Sequence, residues 1–422
     1  MAPAIDPDRL WRRLMALAEI GAIPGGGVDR QALTPGEIAA WRRVIGWGGE
    51  AGLEPATDAA GNLFLTLPGR DRAAAPVLVG SHLDTQPTGG RFDGAAGVLA
   101  ALEAATVLAQ AGERPARDVS VVAWMNEEGS RFAPGMMGSE VFCGARSLDA
   151  IRAVRDAEGI SVGEDLDRLL AAFPDLPRRP FGSAGAYLEL HIEQGPLLEA
   201  AACPVGIVTG IQGKKTYVVR LSGAEGHAGT LPMAERRDAV AAFARCASAL
   251  DRAVGGIDPA VKFTIGRVQV APNAPSVVAG EVRFSIDLRH PDNAVLAAAG
   301  ARIAPLCTRE AAPCEAAVTP LVDAPSNGFD PALQARIGQA ARDLGIRAMP
   351  ILSAAGHDAR HLAGLCPSAM IFIPCRDGIS HAPAEWTEPA DLAAGAAVLG
   401  RVLADLAFAD TLPLAASDGA AR

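Results

Sequence analysis

Apolar runs that end in glycine-rich or polar loops mark the first half of the chain. Asn62–Leu67, Pro76–Gly80, Asp118–Trp124 and Ala186–His191 each read as a short buried strand. Between the second and third of these, an alanine- and leucine-rich stretch from about Gly94 to Ala111 reads as a long helix. Asp6-Pro7 and Thr34-Pro35-Gly36-Glu37 read as helix starts, with proline at the first helical position and Glu37 completing a capping box. Strands alternating with helices predict an α/β sheet with its chemistry at the carboxyl ends of the strands. Gly25-Gly26-Gly27 does not stand between a strand and a helix, so it reads as a flexible turn rather than a phosphate loop.

The pattern changes in the middle. Strands over Thr216–Leu221, Lys262–Val270, Glu281–Arg289 and Cys314–Pro320 are interleaved with helices over Ala234–Val254 and Asn293–Leu306. This β-α-β-β-α-β order is ferredoxin-like and predicts an inserted domain. The division expected is residues 1–211 and 327–422 for a discontinuous outer domain and 212–326 for the insert. The last eight residues, Ala-Ala-Ser-Asp-Gly-Ala-Ala-Arg, read as a frayed tail.

Composition narrows the function. At 422 residues, half apolar and only 20% charged, the chain reads as a globular protein of two domains or more. A net charge of -10 argues against nonspecific nucleic-acid binding. The start has no apolar signal core, and no stretch is apolar enough to span a bilayer. Seven scattered cysteines without a C-x-x-C pair predict reduced thiols and a cytoplasmic protein.

The chemistry gathers at the predicted strand ends. His82 and Asp84 close the second strand, and Asp93 opens the long helix after a glycine-rich loop. Glu127-Glu128 follow the third strand, His191 ends the fourth, and His381 lies in Gly-Ile-Ser-His381-Ala-Pro-Ala-Glu385. Imidazole and carboxylate donors suit zinc-like ions, and a carboxylate can bridge two of them. His82, Asp93, Glu128, His191 and His381 are therefore the candidate ligands of two divalent metals. A bridging Asp93 would give each metal three protein ligands and leave room for water. Glu127, beside the ligand Glu128 but pointing elsewhere, is the candidate general base for that water. Asp84 is expected to hold the His82 ring through its other nitrogen.

These motifs together resemble the amidase/hydantoinase/carbamoylase branch of the dimetal aminoacylase–carboxypeptidase superfamily. The branch includes N-carbamoyl-L-amino acid hydrolases, metal-dependent β-ureidopropionases and allantoate amidohydrolases. The resemblance runs from about Leu10 to Leu406. It rests on Gly-Ser-His82-Leu-Asp84, Gly-Gly-Arg-Phe-Asp93-Gly, Asn-Glu127-Glu128-Gly-Ser-Arg-Phe and His191-Ile-Glu-Gln194-Gly-Pro. Gly-His227-Ala-Gly, Pro-Asn273-Ala-Pro, Asp287-Leu-Arg289-His-Pro-Asp, Gly356-His357-Asp358-Ala and Ser380-His381 extend it. It implies a mixed-sheet α/β catalytic domain of zinc-exopeptidase type with an inserted ferredoxin-like α+β lid and dimerisation domain.

The resemblance also implies roles. His82 and His191 would bind one metal, Glu128 and His381 the other, with Asp93 between them. Zinc is the metal expected, with manganese, cobalt or nickel compatible. Gln194, His227, Asn273, Arg289 and Gly356 would contact a small ureido acid. Arg289 suits its carboxylate, and His227 suits the oxyanion developing at the ureido carbon. The insert would make a homodimer, with His227 and Asn273 serving either subunit's site. Ala354-Ala355 after Ser353, where the family often has Gly-Ala, and Leu231, where a threonine is more usual, bear on substrate preference.

The reaction expected is hydrolysis of the ureido C–N bond of N-carbamoyl-L-amino acids, α or β, to amino acid, carbon dioxide and ammonia. Allantoate hydrolysis is the alternative within the family. A serine or cysteine amidase lacks a Gly-x-Ser-x-Gly elbow here, and Cys143 stands outside any nucleophile motif. A non-enzymatic binding protein is argued against by the presence of all five ligands and Glu127.

Overall fold

In the structure, a computed structural model that describes residues 4–409 together with 411 and 412, four apolar runs lie side by side as parallel strands. Their order across the sheet is Val119–Trp124, Val77–His82, Ala186–Ile192 and Ser368–Ile373. Every residue in these four strands is buried. Parallel strands covered on both faces have no solvent side, and this is why they read as unbroken apolar runs. Antiparallel strands Leu63–Leu67 and Glu54–Thr57 extend one edge, and Val205–Ile211, with Ala348–Ser353 beside it, extends the other. The tail Ala415–Arg422 and Met1–Pro3 lie outside the described residues.

The helix Ala95–Gln110 packs on this sheet, and each of its residues from Ala95 to Leu108 is buried. The helices Pro7–Ala18 and Pro389–Phe408 cover its other side, so it is apolar all round rather than striped. Its one buried charge, Glu103, is matched: the Arg9 guanidinium donates to both carboxylate oxygens at 2.6 and 2.7 Å. Both expected N-terminal helices form, as Pro7–Ala18 and Pro35–Glu50, capped by Asp6 and Thr34. Glu37 departs from the expected box, because its carboxylate takes the N–H of Leu33 and not that of the cap residue.

The chain divides into two compact units, Met1–Thr209 with Gly328–Arg422, and Gly210–Asn327. The second holds the strands Gly213–Ser222, Lys262–Ala271, Glu281–His290 and Glu315–Ala324, all antiparallel. Their spatial order is fourth, first, third, second. Along Glu281–His290 the even-numbered residues Val282, Phe284, Ile286 and Leu288 are buried. They pack with Ala242, Cys246, Ile303 and Cys307 of the helices Ala239–Leu250 and Asn293–Ala311. This sheet alternates where the first does not, because only one of its faces carries helices.

Two helix boundaries in this unit differ from expectation. The first helix begins at Ala239 because Asp238 caps it, accepting from the N–H groups of Val240 and Ala241. The second runs on through Pro305 to Ala311.

Candidate metal centre

Parallel pairing puts the carboxyl ends of the four inner strands on one edge, and the candidate ligands leave from that edge. His82 is the last residue of its strand and stands in register with Trp124, three residues before Glu127. His191 is the penultimate residue of its strand. The strand Ser368–Ile373 leads into the loop carrying Ser380 and His381. Asp93 immediately precedes Gly94, which caps the long helix with φ 61°. A Cβ at Gly94 would lie 2.4 Å from the His82 ring, so the close approach of ring and helix start requires glycine.

Asp93 sits in the middle of the cluster. Its Oδ1 lies 3.0 Å from His191 Nε2 and 3.5 Å from His82 Nε2. Its Oδ2 lies 3.3 Å from His381 Nε2, which is 3.4 Å from Glu128 Oε2. Among the described residues, His82–Asp93–His191 and Asp93–Glu128–His381 each bring one potential ligand atom per residue within 4.8 Å of the others. A third such group, Glu189–His191–His357, shares His191. Asp93 belongs to both of the first two groups, one oxygen facing each.

Hydrogen bonding fixes the tautomers. His82 Nδ1 is 2.9 Å from the main-chain oxygen of Asp84, and His191 Nδ1 is 2.9 Å from that of Ile192. A carbonyl only accepts, so Nδ1 carries the proton in each neutral ring and Nε2 is the atom that faces Asp93 Oδ1; against the opposing effect of burial, the carboxylates nearby push both rings toward protonation there. Two imidazole nitrogens and a carboxylate oxygen this close need positive charge among them, which protons on Nε2 or a bound cation can supply. The donor set therefore fits a divalent cation, with protons competing for the same atoms.

Asp84 does hold the His82 ring through Nδ1, by way of its main chain. Its main-chain oxygen, not its carboxylate, holds the His82 ring; the nearer carboxylate oxygen is 3.6 Å from Nδ1. The carboxylate instead accepts from the successive N–H groups of Glu127 and Glu128, both at 3.1 Å. It thus holds the turn that presents both glutamates. Glu127 Oε2 lies 3.6 Å from His82 Nε2, and Gln86 Nε2 donates to Glu128 Oε2 at 2.7 Å. Gln194 Nε2 donates to Asp93 Oδ2 at 2.8 Å, so this expected substrate contact lies against the metal cluster. Asn126, Gln194 and His381 all have left-handed backbone, a conformation that clusters at functional sites.

Several residues of the centre escaped the sequence reading. Ser380 Oγ lies 3.1 Å from Asp93 Oδ2 and 3.0 Å from Glu385 Oε2. Glu385 Oε1 accepts from the N–H groups of Phe92 and Asp93. Beneath His191, the His357 ring stands edge-on at 4.4 Å and bonds Ser353 through Nε2. Buried Glu189 accepts from Ser81 and Tyr187. The signals available were the Gly356-His357-Asp358-Ala motif and the Ser380–Glu385 segment around His381, which gave His357, Ser380 and Glu385 no role of their own.

Charge in the centre follows burial and neighbours. Burial alone would raise Asp93, but His191, His381 and His82 hold it well below the usual carboxylate range. Burial pushes Glu127 well above that range, aided by Asp358, Glu128 and Asp84 against the opposing pull of His82. Burial and Asp93 lift Glu128 to about 7. The bond to Asp93 raises His381 to about 9.

The remaining expected residues are placed as follows. Gly356 is exposed, beside the Met136 side chain. His227, Asn273 and Arg289 belong to the Gly210–Asn327 unit. His227 is exposed, and its Nδ1 accepts from the N–H groups of Gly229 and Thr230 at 3.0 and 3.2 Å. Nδ1 therefore lacks a proton, and Nε2 is the donor. Asn273 is exposed with φ 58°. Arg289 is half-buried, and Asp287 accepts from its Nε at 2.8 Å and from Nη2 at 3.2 Å. Cys143 is no activated nucleophile: burial, with Cys366 and Asp358 adding, pushes its thiol upward. Among the described residues, no helix is long and apolar enough to cross a membrane.

Fold and cluster together define a hydrolase scaffold with a metal-ligand cradle at the carboxyl edge of a mixed sheet. The chain belongs to Peptidase family M20/M25/M40, whose model matches residues 78–405. Within the family it is similar to the N-carbamoyl-L-amino-acid amidohydrolase of Rhizobium meliloti, at 40% identity over 94% of this chain and 95% of that protein. The allantoate amidohydrolase of Escherichia coli (strain K12) is 36% identical over 96% of this chain and 98% of that protein. A crystal structure of an amidase of the hydantoinase/carbamoylase family from Burkholderia multivorans matches with a TM-score of 0.87. It shows 41% identity over 97% of this chain and all of that one. The branch named from the sequence motifs is thus the one its relatives carry.

Proposed function

We propose that this chain is a metal-dependent amidohydrolase that cleaves the ureido C–N bond of N-carbamoyl-L-amino acids, α or β. The observation that carries the reading is the placement of Asp93, with one carboxylate oxygen toward His82 and His191 and the other toward His381 and Glu128. In this reading His82, His191 and Asp93 hold one divalent ion, and Asp93, Glu128 and His381 hold the second. Zinc is the expected metal, with manganese, cobalt or nickel compatible with the same donors. Such ions polarise the ureido carbonyl and bring the pKa of water toward ~7.

Glu127 then takes the proton of the attacking water and returns it to the departing nitrogen. One substrate and one water give the amino acid, carbon dioxide and ammonia. Asp84, by gripping the two N–H groups of the Glu127–Glu128 turn, fixes where that base points. His227 donates from Nε2 to the oxyanion, which its Nδ1 acceptor bonds favour. Arg289, aimed by Asp287, and Asn273 bind the substrate carboxylate, with Gln194 and Gly356 as further contacts. Residues 212–326 serve as the lid and as the dimerisation domain of a homodimer, and the seven unpaired cysteines accord with a cytoplasmic location.

The similarity to the allantoate amidohydrolase supports a second reading, because allantoate also carries a carboxylate and ureido groups. Kinetics of the metal-reconstituted protein on a panel of N-carbamoyl amino acids plus allantoate separates them. Turnover of the carbamoyl acids, abolished by chelation and restored by metal, is expected. Allantoate turnover alone would overturn the choice of substrate, and full activity after exhaustive chelation would overturn the mechanism.

A further inference from the structure

We propose that Glu385 is a positioning residue for the metal centre. Its buried carboxylate fixes the main chain at Asp93, ties it to the loop that carries His381, and so keeps the two ligand groups in register. The proposal rests on the dimetal reading above.

Glu385 is 2% exposed. Its Oε1 accepts from the N–H groups of Phe92 and Asp93, both at 3.0 Å. Its Oε2 lies 3.0 Å from the hydroxyl of Ser380, the neighbour of His381. A Cβ at Gly90 would lie 2.0 Å from Oε1, so the glycine-rich loop before Asp93 is shaped around this carboxylate. On the next residue, the Trp386 ring packs edge-on against Phe92 with centroids 5.5 Å apart. Glu385 is absent from all three groups of convergent ligand atoms. Its bonds to the centre run through the N–H groups of Phe92 and Asp93 and the hydroxyl of Ser380.

The chemistry explains why a buried carboxylate belongs there. A bridging aspartate must turn both oxygens outward, so its main chain has to be gripped from behind. Two convergent N–H groups and a hydroxyl are three donors that satisfy the buried carboxylate. The Ser380 hydroxyl has one proton and two carboxylates within reach, Asp93 and Glu385. Once Asp93 Oδ2 is engaged by a cation, that proton goes to Glu385. Metal binding and the Glu385–Ser380 link therefore strengthen each other.

The test is a Co2+ titration of the chelator-treated full chain. Wild type, Glu385→Ala and Glu385→Gln are compared by the visible absorption of bound Co2+, by ions per chain in equilibrium dialysis, and by circular dichroism for the fold. Wild type is expected to bind two ions, and Glu385→Ala to bind them about 10–100-fold more weakly. In Glu385→Gln the amide oxygen still accepts from Phe92 and Asp93 but the amide nitrogen cannot accept from Ser380, so its affinity falls between. A folded Glu385→Ala that binds two ions within twofold of wild type overturns the proposal alone. Should that variant not fold, Glu385→Gln decides by the same criterion. Wild type binding fewer than two ions sinks the dimetal reading, and the proposal with it.

Discussion

In the unit formed by Met1–Thr209 and Gly328–Arg422, His82, Asp93 and His191 are almost wholly buried, and main-chain oxygens fix both imidazoles. In the Gly210–Asn327 unit, His227 and Asn273 are exposed, and Arg289 is half-buried and bonded to Asp287. In the first set, His82 and His191 leave the ends of parallel strands whose every residue is covered, and Asp93 stands at the start of a buried helix. The second sits on a two-residue strand, a loop and a sheet with helices on one face. Ion-binding atoms need placement to fractions of an ångström and a second layer of hydrogen bonds to hold them. Groups that meet a substrate, the part proposed for His227 and Arg289, need only a fixed direction of donation, which His227 has through two main-chain bonds and Arg289 through one carboxylate.

The contrast is broken most severely at the buried side. Glu127→Gln keeps the size of the side chain and removes the base. A fall in kcat of about 10²–10⁴-fold is expected, with the same number of ions bound per chain. Equal activity in the variant would remove Glu127 from the mechanism.

On the exposed side, His227→Ala is expected to lower kcat about 10²–10³-fold, as loss of an oxyanion donor does. Thermal unfolding and metal content should stay unchanged, because the ring is exposed and takes part only in its own turn. A large drop in melting temperature would recast it as a packing residue. Arg289→Lys should have the smallest effect. It replaces a planar two-bond donor by a point charge, so KM should rise roughly 10-fold with little change in kcat. A change confined to kcat would place Arg289 elsewhere than at the substrate carboxylate.

What could be read from the chain follows the same contrast. Three of the four inner strands were visible as largely apolar runs, because parallel strands covered on both faces carry few polar residues, Ser120 and Glu189 being exceptions. The chemistry then stood out where each run stopped, at His82, Glu127-Glu128 and His191. The alternating strand Glu281–His290 was equally legible, since its period of two is local. Glu385, Ser380 and Gln86 were not. Their bonds to Phe92 and Asp93 and to Glu128 span roughly forty to three hundred residues, and nothing local in sequence encodes such a partner. The same limit left open which oxygen of Asp84 meets the His82 ring, because whether a ring meets a side chain or the main chain of one residue depends on a turn geometry that composition does not specify. The short strands Glu54–Thr57 and Ala348–Ser353 were missed for another reason: each is brief, carries a proline and is partly exposed.

The most direct test of the central claim is anomalous scattering from crystals of the protein reconstituted with zinc. Two peaks about 3.5–4 Å apart are expected. One should be bonded to His82, His191 and one oxygen of Asp93, the other to Glu128, His381 and the second oxygen. A single peak, or two peaks with Asp93 bonded to only one of them, would contradict the account.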